Sequence, residues 1–461
     1  MSLLQKGVSV IKKYKTQLGD SVWSLMGLVL MNAVAQIAAY PLLARVFGQE
    51  GYGNIQYLLA YVNIITVSVG SAANLARMTS PAEERMQNNG DYNLVLLAVA
   101  LLGIPFVLLI RVFGGVAMDT ATTVCYYALF VAMAFRYYAD VSYKLTLRYR
   151  RYFMYYLFIS VGYGLGAFLV WKTQIWPLAL LPGELMGILF AYLADDTLRR
   201  RAFKPSPAIG RVMRCILILF VSEGISNIIF NVDRLILKFL IGASAVTVYY
   251  LATLVGKTVS LVITPLNGVL IGYLARYEGK LTRRMMKWVT LISLASFAVF
   301  TGVCVLGGYI VLLWLYPNEL EIVTPYLLLG SLAQVIFFIT GIVMVLLIRF
   351  AKKSYQIYIN GLFGVCFFGI GIPATVFGGL WGFAVAMVAA NLIRWLAAIY
   401  LGLRWAKNEE REAECWMRPK IWSDRIITRT TRCYDGRNYD CDRKRYNGIA
   451  KKVCQRAGSY L

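Results

Sequence analysis

Long apolar runs recur from one end of the chain to the other, separated by short stretches where charged residues, glycine and proline gather. About 20 residues of helix cross the hydrocarbon core of a bilayer. Twelve runs reach or approach that length, at 21–45, 52–74, 92–113, 119–138, 153–171, 176–194, 213–240, 246–274, 288–316, 325–348, 357–378 and 380–404. The first, seventh and eighth are long enough to tilt or kink. The pattern predicts an all-α integral membrane protein of about 12 transmembrane helices.

The polar positions give the segments an orientation. Basic clusters fall at Lys6 to Lys15, at Arg77 and Arg85, at Lys144 to Arg151 and at Arg199 to Arg214. Others follow at Arg276 to Lys287, at Lys352 and Lys353, and in the tail from Arg404. Each lies after an even number of runs, and the intervening loops at 46–51, 114–118, 172–175, 241–245, 317–324 and 379 are poor in Lys and Arg. The positive-inside rule then places both termini in the cytoplasm. Lys6, Lys12, Lys13 and Lys15 precede an apolar run too long for a signal-peptide core, so that run is expected to stay as an anchor.

A basic loop at 195–212, with Pro205 and Pro207, divides the runs six and six. The expected organisation is an N-terminal six-helix bundle at 1–194, that cytoplasmic linker, a C-terminal six-helix bundle at 213–404, and a cytoplasmic tail at 405–461. Halves with an even number of spans start on the same side and are related by a pseudo-two-fold axis along the membrane normal. A faint repeat agrees: Leu42 to Gly48 leads into a segment with Tyr57, and Leu235 to Gly242 into one with Tyr249 and Tyr250. The tail lacks apolar periodicity and is expected to be largely disordered.

Composition supports the membrane reading, with 59% apolar and 15% charged residues. The formal charge of +24 is mostly the loop signal, so anionic phospholipids are the expected partners of the surface, and no nucleic-acid module is evident. There is no histidine, which removes the commonest metal ligand and acid–base group. The eight cysteines match no zinc spacing. No phosphate-binding glycine loop occurs, and the loops leave no room for a nucleotide-binding domain. Neither catalytic group, metal nor cofactor is expected, and a transporter without its own ATPase is what these exclusions leave.

Charges inside spans are the candidate chemistry, because each costs about 2.5–3.5 kcal/mol at a helix centre and so faces a cavity or a partner. In the seventh run Glu223, Asn227, Asn231, Arg234 and Lys238 share one helical face, with Asp233 beside them. The second run carries Gln56, Asn63, Thr66, Gly70 and Asn74 and ends at Arg77; the first leads to Arg45. Lys257, Glu184 and Arg394 complete the set. One reading is a hydrated, net basic cavity lined by the first, second, seventh and eighth helices. Against it, Arg45 and Arg77 at span ends can snorkel to headgroups, Arg394 can anchor near an interface, and Asp233 with Arg234 can be a structural pair. Tyr126, Tyr127, Tyr137, Tyr138, Tyr152, Tyr155 and Tyr156 fit an interfacial aromatic belt.

The stretch Pro41-Leu42-Leu43-Ala44-Arg45-Val46-Phe47-Gly48-Gln49-Glu50-Gly51-Tyr52-Gly53 resembles the first-hairpin signature of polysaccharide-biosynthesis (Wzx-like) flippases of the multidrug/oligosaccharidyl-lipid/polysaccharide exporter superfamily. Asn231-Val232-Asp233-Arg234-Leu235-Ile236-Leu237, followed by Gly242 and Tyr249 to Ala252, resembles the seventh-span element of that family. The resemblance runs from about residue 20 to 405. It implies a MATE-like V of two bundles in a bacterial cytoplasmic membrane, moving an undecaprenyl-pyrophosphate-linked oligosaccharide outward for O-antigen, capsule or exopolysaccharide assembly. A polysaccharide polymerase and a chain-length regulator are the protein partners it implies. On this reading Arg45, Arg77, Asn227, Asn231, Arg234, Lys238 and Lys257 bind the headgroup, and Glu223 and Asp233 serve ion coupling. The rivals are a cation-coupled drug exporter of the same superfamily, a membrane-embedded glycosyltransferase or polymerase, and a non-transporting scaffold.

Overall fold

The computed structural model describes residues 23, 26–81, 89–194, 198–199, 203–276, 279–351 and 354–430, with 261–276 and 412–430 as backbone only. Lys6 to Lys15, Arg85, Arg200, Arg201, Lys352, Lys353, Cys433, Cys441 and Cys454 lie outside these residues, as does the disorder expected at 431–461.

Among the described residues every regular element is helical. In chain order the main helices are α1 (Met26–Thr79), α2 (Asn89–Phe113), α3 (Thr120–Ala139), α4 (Tyr149–Thr173) and α5 (Leu181–Ala194). They continue as α6 (Ile209–Leu240), α7 (Ala243–Arg276), α8 (Arg283–Leu315), α9 (Leu320–Phe350) and α10 (Ser354–Thr430). Among the described residues seven helices are long and apolar enough to cross a membrane, and the chain is a multi-pass membrane protein.

Two of those helices are broken where the sequence predicts loops. Gly48 in α1 has φ 67° and Gly379 in α10 has φ 56°, a backbone that strains any residue with a Cβ. Each glycine therefore ends one helical arm and starts the next. α1 also contains two π-helical turns, Ala35–Ala39 and Asn63–Val67, which shift the side-chain register of its arms. α3 starts at Asp119, whose side chain accepts from the Thr122 backbone N–H. α10 continues past 408 to Thr430, into the segment read from sequence as tail.

Exposure along α6 shows the solvent these helices are built for. Leu217, Ile218, Val221, Ile225 and Ile228 are all exposed, mostly on one side. In water such a face would drive association, whereas in lipid it is ordinary surface. Val212, Ile216, Asn231, Asp233, Arg234 and Leu237 are buried.

The chain divides into two compact units. The first comprises 1–266, 299–338 and 363–391, and the second 267–298, 339–362 and 392–461. The first has a core rich in tyrosine. Of the tyrosines read as belt residues, Tyr126, Tyr138 and Tyr155 are at most 1% exposed and pack inside the helices. Their hydroxyls are used there: Tyr126 donates to the Leu58 carbonyl at 3.0 Å and Tyr155 to that of Arg136 at 2.8 Å. Asp91 anchors the linker, accepting from the Ser206 N–H at 2.7 Å and its hydroxyl at 2.5 Å. In the second unit Phe297 meets Trp395 edge to face, with centroids 5.2 Å apart. Buried Arg394 donates to Asn360 Oδ1 at 3.1 Å, a bond between the two arms of α10 rather than an interfacial anchor.

Candidate functional site

The predicted polar face of α6 folds against the second arm of α1. Asn227 Nδ2 donates to Ser68 Oγ at 3.1 Å and to the Glu223 carbonyl at 3.0 Å. Asn231 donates to the Asn227 carbonyl at 2.8 Å, so two asparagines in succession satisfy backbone oxygens of their own helix. Glu223 is half-buried, and its carboxylate has no hydrogen-bond or ion-pair partner among the described residues.

Two turns further along, the charges gather. Asp233 and Lys257 form an ion pair between α6 and α7, with Nζ 2.7 Å from Oδ2, and both side chains are buried. The other Asp233 oxygen accepts from the Arg234 backbone N–H at 3.0 Å. The Arg234 guanidinium lies over the Tyr250 ring, 4.7 Å from its centroid. Arg234 is buried, and its Nε has no acceptor among the described residues. Lys238, one turn on, is half-buried. Tyr250 also packs edge to face with Tyr40 and Tyr52, at 6.4 and 6.0 Å. The site thus brings together Asn227, Asn231, Asp233, Arg234 and Lys257, two cations against one buried carboxylate.

Arg77 and Arg45 do not join it. Arg77 is fully buried and donates to Asn89 Oδ1 and the Tyr138 hydroxyl, each at 2.7 Å, beside the stacked Tyr92 and Tyr138 rings. It ties α1 to α2 and α3, where the sequence offers either a substrate contact or a snorkelling end. Arg45 is exposed, just before the break at Gly48.

A cavity of about 310 Å3 lies beside this cluster. It is lined by Leu28 to Ile37 on the first arm of α1, by Leu254 to Val259 on α7, and by Val311 and Leu315 on α8. Its polar lining is Asn32, Gln36 and Thr258. The sequence predicts a basic, hydrated cavity; this one has apolar walls, and none of the predicted cations lines it. The physical reason is the packing of α6 along α1, which turns the polar stripe into a helix contact. Gln36, next to Tyr250, brings one end of the apolar cavity close to the charged cluster.

One further buried pair joins Glu184, weighed as a candidate charge in the sequence, to Arg136, which was not. Arg136 Nε is 2.7 Å from Glu184 Oε2, and the Tyr163 hydroxyl donates to Glu184 Oε1 at 2.6 Å. Glu184 is fully buried at the start of α5, and Arg136 lies over the Tyr137 ring at 3.7 Å. Arg136 stands among aromatic residues near the end of a span, so the sequence reads as interface. Its charge within an apolar run was the available signal.

The helical arrangement defines the class: it is a MATE- and MurJ-like fold. The lipid II flippase MurJ in an inward-closed conformation superposes with a TM-score of 0.59 at 12% identity, covering 86% of this chain and 90% of that one. An inward-facing multidrug-resistance MATE family transporter of the MOP superfamily gives 0.58 at 13% identity, with 85% and 96% covered. A MOP superfamily transporter from Pyrococcus furiosus gives 0.57 at 12%, with 86% and 95% covered. At these identities the likeness is one of fold. No protein-family model matches the chain, and no curated protein sequence matches it.

Proposed function

We propose that the protein is a flippase that carries an undecaprenyl-pyrophosphate-linked oligosaccharide from the cytoplasmic to the outer leaflet of a bacterial inner membrane. Surface polysaccharide assembly is the process it serves, and translocation by alternating access, without bond chemistry on the substrate, is its mechanism. The observation that carries the reading is the buried cationic surplus: Asp233 pairs with Lys257, and the buried guanidinium of Arg234 lies nearby on the Tyr250 ring, next to an apolar cavity. A sugar with a pyrophosphate cannot cross hydrocarbon unaided, because an unpaired charge there is expensive. Cations held inside the helices offer that headgroup a partner, and apolar walls suit the polyprenyl chain that follows it.

The fold supports the same class, since a lipid II flippase shares it. It is shared equally by multidrug transporters, so the preference between them rests on the sign of the cluster's charge. A hydrophobic cation would call for a carboxylate surplus, and this cluster has the opposite sign. The described arrangement, with α6 packed on α1, is a closed one on this reading, and the stripe from Glu223 to Lys238 is uncovered when the two helices part. An inside-negative potential favours outward movement of the anionic head by about 2.3 kcal/mol per charge per 100 mV. Glu223, half-buried without a partner, is placed to couple an ion to that movement.

Deletion of the gene, followed by complementation with variants at matched protein levels, tests the assignment. Arg234→Ala and Glu223→Gln are expected to lower surface polysaccharide and to leave the lipid-linked glycan on the cytoplasmic leaflet. Wild-type polysaccharide from both variants would remove it.

A further inference from the structure

We propose that Asp233 stands in for the substrate's phosphate: it neutralises Lys257 while the carrier is empty and is displaced when a phosphate-bearing lipid head engages Lys257 and Arg234. The inference rests on the flippase reading above and adds a built-in competitor to it.

Three features of the cluster lead there. Asp233 and Arg234 are the charged groups that act on Lys257, the one attracting and the other repelling it, so the cluster holds two buried cations and one carboxylate, which pairs with Lys257. Arg234 spends its charge on the face of Tyr250 and keeps Nε without an acceptor. A buried guanidinium donor left unmatched is unfavourable, and an incoming phosphate oxygen would satisfy it. The Asp233 carboxylate, finally, has a second hold: Oδ1 accepts from the Arg234 backbone N–H at 3.0 Å while Oδ2 meets Lys257 at 2.7 Å. When an anion takes the Lys257 ammonium, Asp233 stays bonded beside it, ready to return. That arrangement lets the site release an anion which two buried cations alone would hold too tightly. A purely structural ion pair needs neither the unmatched donor nor the extra cation.

The contrast with a structural pair is measurable. The full chain, purified in detergent, is titrated with farnesyl pyrophosphate, with farnesol and inorganic pyrophosphate as comparison ligands. Asp233→Asn is expected to bind farnesyl pyrophosphate at least ten-fold more tightly than wild type, and Lys257→Met at least ten-fold more weakly. Binding by Asp233→Asn that is unchanged or weaker, with wild type binding normally, overturns the inference and leaves the flippase reading standing. If no form binds farnesyl pyrophosphate, both fall together. Equal potency of inorganic pyrophosphate would make the free anion the ligand and overturn the headgroup assignment. If Asp233→Asn does not fold, wild type carries the test. Its infrared difference spectrum should show a carboxylate band altered by farnesyl pyrophosphate and untouched by farnesol, and an unaltered band overturns the inference.

Discussion

Glu184 has no exposure and accepts from Arg136 and Tyr163, in the part of the chain where the surrounding side chains are mostly tyrosine and aliphatic. Removing one member of a buried ion pair leaves the other uncompensated, which costs about 3–5 kcal/mol. Glu184→Gln is therefore expected to destabilise the protein by about that amount, and thermal unfolding in detergent checks it. Arg394→Met removes the bond to Asn360 Oδ1 and should cost less, about 1.5–3 kcal/mol. Equal losses from the two would mean that ionic pairing is not what makes Glu184 matter. At this scale sequence legibility depended on spacing. The polar face of α6 could be read because helical steps place its members together within one segment. Arg136 and Glu184 are 48 residues apart, and no local pattern announces such a partner. The tyrosines misled for a related reason: a belt tyrosine and a buried one look alike until the hydroxyl's acceptor, often a carbonyl on another helix, is known.

Two hairpin tips, those around Gly48 and Gly242, meet in the first unit. Thr247 Oγ1 donates to the Gln49 carbonyl at 2.6 Å, and Gly53 lies so close to Ala243 that an added Cβ would sit 1.9 Å from its carbonyl oxygen. Backbone cannot yield as a flexible side chain can, so any larger residue at 53 must part the tips. Gly53→Val is expected to abolish the disulfide that Gln49→Cys and Thr247→Cys form under mild oxidation in an otherwise wild-type chain. Undiminished cross-linking would show that the contact is not a tight closure. The faint repeat in the sequence predicts two comparable hairpins, and the backbone turns at Gly48 and Gly379 fall in expected loops. That these two hairpins touch each other was not readable, because contact between segments so far apart depends on the packing of whole helices. The π-helical turns in α1 were equally hidden, being register shifts with no residue type of their own.

For the whole molecule, the apolar rhythm carried the fold: a lipid-facing surface such as that of α6 requires little beyond aliphatic side chains, and composition records it directly. The cavity is another matter. Apolar walls and a packed polar stripe belong to the arrangement described; on the flippase reading proposed above, the cationic face is uncovered when the same helices part. A sequence encodes both arrangements at once and so predicts a basic cavity that this one does not display. The charge stripe is thus expected to become reactive only during transport. Asn231→Cys should be labelled by a water-soluble maleimide faster in membranes of cells making the lipid-linked glycan than in membranes of cells that lack it. Equal labelling would count against an opening tied to substrate.

The most direct test is translocation itself. The full chain, reconstituted into vesicles, is supplied with a fluorescent undecaprenyl-pyrophosphate-linked oligosaccharide, and the fraction quenched from outside is followed over time. The account predicts exchange between leaflets well above that of protein-free vesicles, falling at least ten-fold in Lys257→Met at equal reconstitution. Exchange no faster than in empty vesicles, in membranes where the protein is folded, would contradict it.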